Sequence, residues 1–440
     1  MADRPLTVLF LPESAYGPTG NCIGIGNVLL QKGHRVVFAA ESSWKGKLEP
    51  LGFVEDLVDL APPPEESASG DEQDAGAFWK EFIRETSPEF RKPTVEQLET
   101  FIAPTYQALI DGAMYCEPHL VDIIERHRPD VLVEDNVVLF PALTTSGAPF
   151  VRIVSCNPLE VKGSRVAPTF SGMPADDDSQ GAPCRAEYER THRAMWTAFN
   201  EFVVKAGADP LPDLDFMPES AHANLYVFPQ EADYVDRRPL GETWHRIDSS
   251  VRSTDDPFEL PAELAERPAG SRLVYLSLGS LGSADVDLMK RLVDVLGRTP
   301  HRYIVSMGPQ HNEYQLADNM WGREFLPQTS LMPLVDLVIT HGGNNTTTEA
   351  LHFGKPMVLL PLFWDQYDNA QRMDELGFGR RLRTYEFTDA ELMNAVDSLL
   401  DDATLTTRLA SVGESIRARR GKERAADVIE RVGFSHRAGG

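Results

Sequence analysis

The stretch Leu337-Val-Ile-Thr-His-Gly-Gly-Asn-Asn-Thr-Thr-Thr-Glu-Ala-Leu351 decides how the chain is read. An apolar strand ends at Thr340, passes through His341-Gly342-Gly343 and enters a helix beginning near Asn345. In a parallel sheet such a turn lies at the carboxyl edge, where ligands bind. The free amides of a helix start, its dipole and the side chains of Asn345 and Thr346 suit an anion, and glycines let a phosphate approach the backbone. A diphosphate fits that cradle. Glu349 falls on the same helix face one turn further in, where a carboxylate can accept hydrogen bonds from two ribose hydroxyls. The next apolar run, Gly354-Lys-Pro-Met-Val-Leu-Leu-Pro-Leu-Phe-Trp-Asp-Gln366, ends in Asp365 and Gln366, an acid and an amide suited to a polyhydroxylated sugar. Singly, an Asn-Thr helix start is ordinarily an N-cap and Asp-Gln after a strand is ordinarily a loop. Their ordered combination carries the reading.

Outward from this stretch, short apolar runs alternate with helical ones. Leu6-Thr-Val-Leu-Phe-Leu11, a helix over 22–32 ending at Gly33, and Arg35-Val-Val-Phe-Ala-Ala40 form one βαβ unit. Val131–Val133, Phe150–Val154 and Leu225–Phe228 continue the series. A second series starts at Leu273–Leu278, followed by a helix with Met289, Leu292, Val293 and Leu296 on one face, then Tyr303–Ser306, Leu337–Thr340 and Met357–Leu360. Two βα series predict an α/β protein of two parallel-sheet domains. The polar, Pro-rich segment 248–270, with Asp255-Asp256-Pro257, Pro261 and Pro268-Ala-Gly270, reads as a linker. The expected division is 1–247, linker 248–270, 271–410, and a terminal helical piece 411–440 crossing back to the first domain. Thr388-Asp-Ala-Glu391 is a capping box. Glu55 to Asp74 holds eight acidic and no basic residues and reads as a solvated loop.

The 440 residues are enough for two such domains, and 42% hydrophobic with 25% charged residues is ordinary for a globular protein. Lys plus Arg number 42 against 67 Asp plus Glu, a formal charge of -25, so nucleic acid and anionic membranes are poor partners by bulk electrostatics and no nucleic-acid partner is expected. No run of about 18 apolar residues is present, so no integral membrane segment is expected. The apolar run at the start is too short for a signal-peptide core, which points to a cytoplasmic protein. Cys22, Cys116, Cys156 and Cys184 are scattered, suggesting neither a metal site nor a disulfide framework.

The ordered segments Phe325-Leu-Pro-Gln328, His341-Gly-Gly-Asn-Asn-Thr-Thr-Thr-Glu349 and Asp365-Gln366 resemble the donor-binding signature of the family 1, UDP-dependent glycosyltransferases, including those acting on bacterial natural products such as macrolides. Weaker similarity covers the chain at Gly33-His34-Arg35-Val36, Arg128-Pro129-Asp130, Pro257–Pro261 and Leu278-Gly279-Ser280. The resemblance implies the GT-B fold, two facing Rossmann-like domains with the acceptor bound by the first and the donor by the second. It implies inverting, metal-independent transfer of a sugar, glucose from UDP-glucose in the first instance, to a hydrophobic small molecule, with no cofactor beyond the nucleotide sugar. By the same resemblance Phe325 stacks on the base and Gln328 bonds near it. His341, Gly343, Asn345 and Thr346 hold the diphosphate, with Ser280 nearby; Glu349 takes the ribose, and Asp365 and Gln366 the sugar. The expected assembly is a monomer or homodimer.

The acceptor half departs from the pattern. Where the family places a catalytic histidine after the first strand, the chain reads Ala15-Tyr-Gly-Pro-Thr-Gly-Asn21, with Pro18 at that position. The family's partner aspartate is matched by Asp135. Asp135 and Glu13 are the candidate bases; a nucleophilic acceptor, a non-catalytic sugar-nucleotide binder and a sugar-nucleotide isomerase of the same architecture stay open beside them. Phe78, Trp79, Phe82, Ile83, Phe101, Met114, Tyr115, Met195, Trp196, Phe199 and Phe202 are candidates for core or for an apolar acceptor pocket. Gly24-Ile-Gly26 is a weak dinucleotide-binding signal, since Leu29 replaces the third glycine.

Overall fold

A computed structural model describes residues 4–62, 86–163, 165–175, 179, 181–252 and 257–439. Phe78, Trp79, Phe82 and Ile83, and most of the acidic stretch, lie outside the described residues. The first sheet contains β1 (Thr7–Pro12), β2 (Arg35–Phe38), β3 (Val54–Glu55), β4 (Val131–Asp135), β5 (Phe150–Val154), β6 (Ala223–Tyr226) and β7 (Trp244–Arg246). The second contains β8 (Leu273–Ser277), β9 (Arg302–Ser306), β10 (Met320–Arg323), β11 (Leu337–Thr340), β12 (Met357–Leu359) and β13 (Gly379–Arg381). The strand orders are β3-β2-β1-β4-β5-β6-β7 and β10-β9-β8-β11-β12-β13, and the pairings are parallel. Parallel strands are covered on both faces, which is why they read as continuous apolar runs: every residue of β4, β5, β8 and β11 is buried.

The chain order reverses between β1 and β4 and again between β8 and β11. Each sheet therefore opens a crevice at the carboxyl ends of those strands. The helices that frame them are α1 (Tyr16–Gln31), α2 (Ala103–His127), α3 (Gly181–Lys205), α4 (Val286–Leu296), α5 (Asn344–His352), α6 (Gln366–Glu375), α7 (Asp389–Asp401), α8 (Ala403–Ala418) and α9 (Gly421–Gly439). The capping box is formed, with the Thr388 side chain accepting from the Glu391 amide and Glu391 accepting from the Thr388 amide. In α4, Met289, Leu292, Val293 and Leu296 are buried together.

One expectation needs correction: α1 begins at Tyr16, six residues before the expected start at 22. Tyr-Gly-Pro-Thr-Gly has the propensity of a turn, but Pro18 stands in the first turn, where the amide it lacks has no intrahelical partner. The helix glycines have a packing reason. A Cβ at Gly24 would stand 2.8 Å from Ser250 Oγ and 2.9 Å from its carbonyl oxygen, and one at Gly26 would stand 3.0 Å from the Phe53 ring. Gly24 and Gly26 thus lie mid-helix against neighbours and not at a strand-to-helix turn, so the dinucleotide signal has no structural counterpart.

Helix α9 lies on the first sheet. A Cβ at Gly433 would meet Val131 and Leu6 at 2.8 and 2.9 Å. His34 is buried there, its Nδ1 accepting from the Leu6 amide at 3.0 Å and its Nε2 2.7 Å from Glu430. Asp130 accepts from the Thr7 amide at 2.7 Å and from Arg437 at 2.6 Å. Two of the weakly similar segments therefore bind the terminal helix. Glu55 and Asp56, the first of the acidic stretch, are also structural. Glu55 accepts from the amides of Gly46, Leu48 and Glu49, and Asp56 pairs with His127 and Arg126.

Candidate functional site

The two crevices face each other. Asn21 in α1 donates to Asn345 Oδ1 at 3.0 Å, and Asn345 Nδ2 donates to the Gly17 carbonyl at 2.9 Å. Further along, Asn157, in the loop after β5, donates its amide to Asp365 Oδ2 and its side chain to Asn369 Oδ1, both at 2.8 Å. Phe363 packs on Phe90 and Phe101 with centroids 4.7 and 5.1 Å apart, and Trp364 on Phe170 and Tyr106 at 4.7 and 5.2 Å.

On the second sheet, β11 ends in Thr340 and the chain turns at Gly342, whose φ of +85° favours glycine and whose Cβ position lies 3.1 Å from the Gln366 carbonyl oxygen. Gly343 caps α5 without a side chain. A Cβ there would lie 2.6 Å from His341 Nε2, and one at Gly279 would lie 2.9 Å from His341 Cε1. The imidazole thus rests between the turns after β8 and β11. Its desolvation pushes its pKa down to about 4 against a hydrogen bond to the Ser277 backbone, so it is neutral at pH 7. Ser280 lies in the short helical turn Gly279–Gly282 after β8; its side chain is outside what is described.

Glu349, Gln328 and Thr346 are brought together. Gln328 Nε2 donates to Glu349 Oε2 at 2.5 Å and to Thr346 Oγ1 at 3.3 Å, and its oxygen accepts from the Tyr275 hydroxyl at 3.2 Å. Phe325 is 53% exposed and faces Tyr16, 56% exposed, across the cleft at 6.4 Å between centroids. Asp365 is buried; burial and the neighbouring Glu160 push it up to about 7 against the Asn157 and Asn369 hydrogen bonds. Gln366 accepts the Leu362 and Phe363 amides at 3.0 and 3.3 Å, so its oxygen shapes the preceding loop.

On the first sheet, Asp135 ends β4 and is buried. Ser155 Oγ donates to its Oδ1 at 2.7 Å, while Oδ2 is buried without a hydrogen-bond partner. Burial, then the Glu13 charge, raise its pKa to about 7 against the pull of Ser155 and Asn21. Glu13 is adjacent, its amide donating to the Asp135 carbonyl at 2.8 Å. Its own oxygens are taken by Ser14 Oγ at 2.9 Å and the Ala15 amide at 3.0 Å, and burial raises its pKa. Pro18 offers no basic atom.

Of the aromatic candidates, Phe101 and Phe199 are core, and Met195, Trp196 and Phe202 pack partly buried against it. Met114 and Tyr115 are 41% and 46% exposed: α2 buries Tyr106, Ile110, Ala113, Cys116 and Leu120, leaving them on the opposite face. Sequence reading did not single out Asn21, Ser155, Asn157, Tyr275 or Asn369. The available signal was position alone, since Ser155 and Asn157 follow β5 at the same sheet edge as Asp135. Among the described residues no group of three His, Cys, Asp or Glu is placed to hold a metal ion, and no helix is long and apolar enough to cross a membrane.

Two doubly wound sheets thus face each other, with the start of α5 opposite the end of the first sheet that carries Asp135. Residues 198–412 match the model of the UDP-glucoronosyl and UDP-glucosyl transferase family. The chain is 24% identical over 426 residues to the NDP-glycosyltransferase YjiC of Bacillus subtilis (strain 168), covering 94% of each. It is also 24% identical over 438 residues to the oleandomycin glycosyltransferase of Streptomyces antibioticus, covering 97% of this chain and 90% of that one. Among solved structures, the glycotransferase of kitacinnamycin superposes with a TM-score of 0.71 at 22% identity, covering 98% of this chain and all of that one. The glycosyltransferase VinC, in complex with dTDP, superposes at 0.66 and 18% identity, with 98% and 100% covered. The chain has the GT-B fold and is similar to the family 1 glycosyltransferases; it is an enzyme that transfers a glycosyl group from a nucleotide sugar to a small-molecule acceptor.

Proposed function

We propose that the protein transfers a hexose, glucose from UDP-glucose in the first instance, to a hydroxyl of a hydrophobic small molecule, with inversion and without a metal ion. The observation that carries this reading is the Asp135 carboxyl group: buried at the acceptor-side sheet edge, raised to about 7, with Oδ2 unpartnered. A base of that pKa is matched to neutral pH, and it fills the role that Pro18 cannot. The acceptor O–H gives its proton to Asp135 Oδ2 as its oxygen attacks the anomeric carbon. The bond from that carbon to the diphosphate breaks on the opposite face, and the nucleoside diphosphate leaves with the electron pair. The charge developing on it meets the amides at the start of α5, donors already oriented before the reaction. The base lies on Phe325, the ribose hydroxyls on Glu349, and the sugar beside Asp365 and Gln366. A hydrophobic acceptor is supported by the relatives, one named for oleandomycin and others named sterol 3-beta-glucosyltransferases.

The test is incubation with UDP-glucose or dTDP-glucose and a panel of macrolide, phenolic and sterol acceptors, with mass detection of adducts and NMR of the anomeric centre. A β-glucoside formed equally well in chelator is the expected product. An α-linked product, loss of transfer in chelator, or no adduct from either donor would overturn the corresponding part.

A further inference from the structure

The diphosphate cradle on the second sheet has a neutral imidazole and helix amides but little positive charge of its own. Lys355, the basic residue between Thr340 and Gln371, donates to the Pro333 carbonyl at 3.1 Å instead. The segment joining the two sheets brings a cation there. Asp248 pairs with Arg419 at 2.9 Å, Ser249 Oγ lies 2.9 Å from His352 Nδ1, Ser250 Oγ donates to the Asn21 carbonyl at 2.9 Å, and Lys422 donates to the Val251 carbonyl at 3.2 Å. With its backbone so pinned, the segment delivers Arg252 into the cleft. Its Nη1 stands 3.6 Å from Glu349 Oε1, with the side chain 25% exposed. The glycines of α1 make room: the Cβ position of Gly20 is 3.5 Å from Arg252 Nη1 and 3.8 Å from Asn345 Nδ2, so guanidinium and cradle border the same point.

We propose that Arg252 is a donor-binding residue contributed by the interdomain segment, pairing with the diphosphate of the nucleotide sugar. The inference rests on the nucleotide-sugar reading of the cleft. In the structure Arg252 balances the buried Glu349 carboxylate. When the ribose hydroxyls donate to Glu349, the guanidinium turns toward the first turn of α5, where its fork of N–H donors matches phosphate oxygens. There it also opposes the charge that grows on the leaving group as the glycosidic bond breaks. Because Arg252 enters from the segment between the sheets, the charge is in place when both domains border the donor.

The experiment is calorimetric titration of wild type, Arg252→Gln and Arg252→Lys with UDP, dTDP and uridine. The expected result is that Arg252→Gln weakens diphosphate binding about 10- to 100-fold while uridine binding changes less than about twofold, with Arg252→Lys between the two. Equal losses for the diphosphates and for uridine would overturn the proposal, since Arg252 would then act only by supporting Glu349 or the fold. Unchanged diphosphate binding in Arg252→Gln would overturn it too. Wild type binding none of the three ligands would remove the nucleotide-sugar reading itself, and the proposal with it, a result distinct from either of the others.

Discussion

At the scale of single residues, the site turns on Asp135 and its neighbour Glu13. If Asp135 is the base, Asp135→Asn lowers kcat by about 100-fold or more with a small effect on KM, because only the ionised carboxylate takes the proton. Wild-type kcat should rise with pH through about 7, the value to which burial and Glu13 raise Asp135, and then level off. Glu13→Gln removes a charge that pushes the Asp135 pKa up, so its acid limb moves to lower pH with transfer retained. Loss of transfer in Glu13→Gln with retention in Asp135→Asn would exchange the two roles. Phe325 is exposed and its removal leaves the core intact, so Phe325→Ala is expected to raise the Kd for UDP about 10-fold, the worth of one base stacked on an aromatic ring. Sequence made Asp135 legible as a strand-end acid and Glu13 as its rival. The preference between them came from hydrogen bonding, since both Glu13 oxygens are held locally while one Asp135 oxygen is unpartnered.

At the scale of elements, most strands were legible because parallel strands buried on both faces are written as plain apolar runs. The start of α1 was not. Its first turn is rich in Gly and Pro, and those residues are explained by what lies across from them: Asn345 at Gly17, Arg252 at Gly20 and Ser250 at Gly24. Gly24→Ala should therefore destabilise by about 1–3 kcal/mol despite the better helix propensity of alanine, measured by urea denaturation. Adding Ser250→Ala should not restore stability, because the Ser250 backbone oxygen stays 2.9 Å from the new Cβ. Thr388→Ala, at a cap visible in the sequence and formed in the structure, should cost about 1 kcal/mol in the same assay.

At the scale of the whole molecule, the junction of the two sheets buries acids. Asp135 and Asp365 are both raised to about 7, far above their unfolded values near 4. Below about pH 4 folded and unfolded chains bind these protons alike. Between there and 7 the folded state binds more, so these groups make stability fall as pH rises. His192, His341 and His352, lowered to about 4, act with the opposite sign, and because half of the unfolded histidines are still protonated at about pH 6.5 their effect runs on to about pH 7.5. From pH 6.5 to 8.5 Asp135 and Asp365 each take away about 0.8 kcal/mol while each of these histidines returns about 0.4 kcal/mol, so Asp135→Asn or Asp365→Asn should make the urea midpoint climb with pH by the equivalent of about 0.8 kcal/mol more than in wild type. An unchanged profile in either variant would place that carboxylate in a more polar setting than the structure has it. Sequence by itself determined the two βα series, the strand-to-helix turn at His341-Gly342-Gly343 and the order of donor-side residues, because periodicity and turn chemistry are local properties of the chain. Only the tertiary structure decided which acid stands with an unpartnered oxygen, that Asn157 meets Asp365, and that Arg252 reaches Glu349, since those residues are far apart in the chain and are joined only when two sheet edges close on each other.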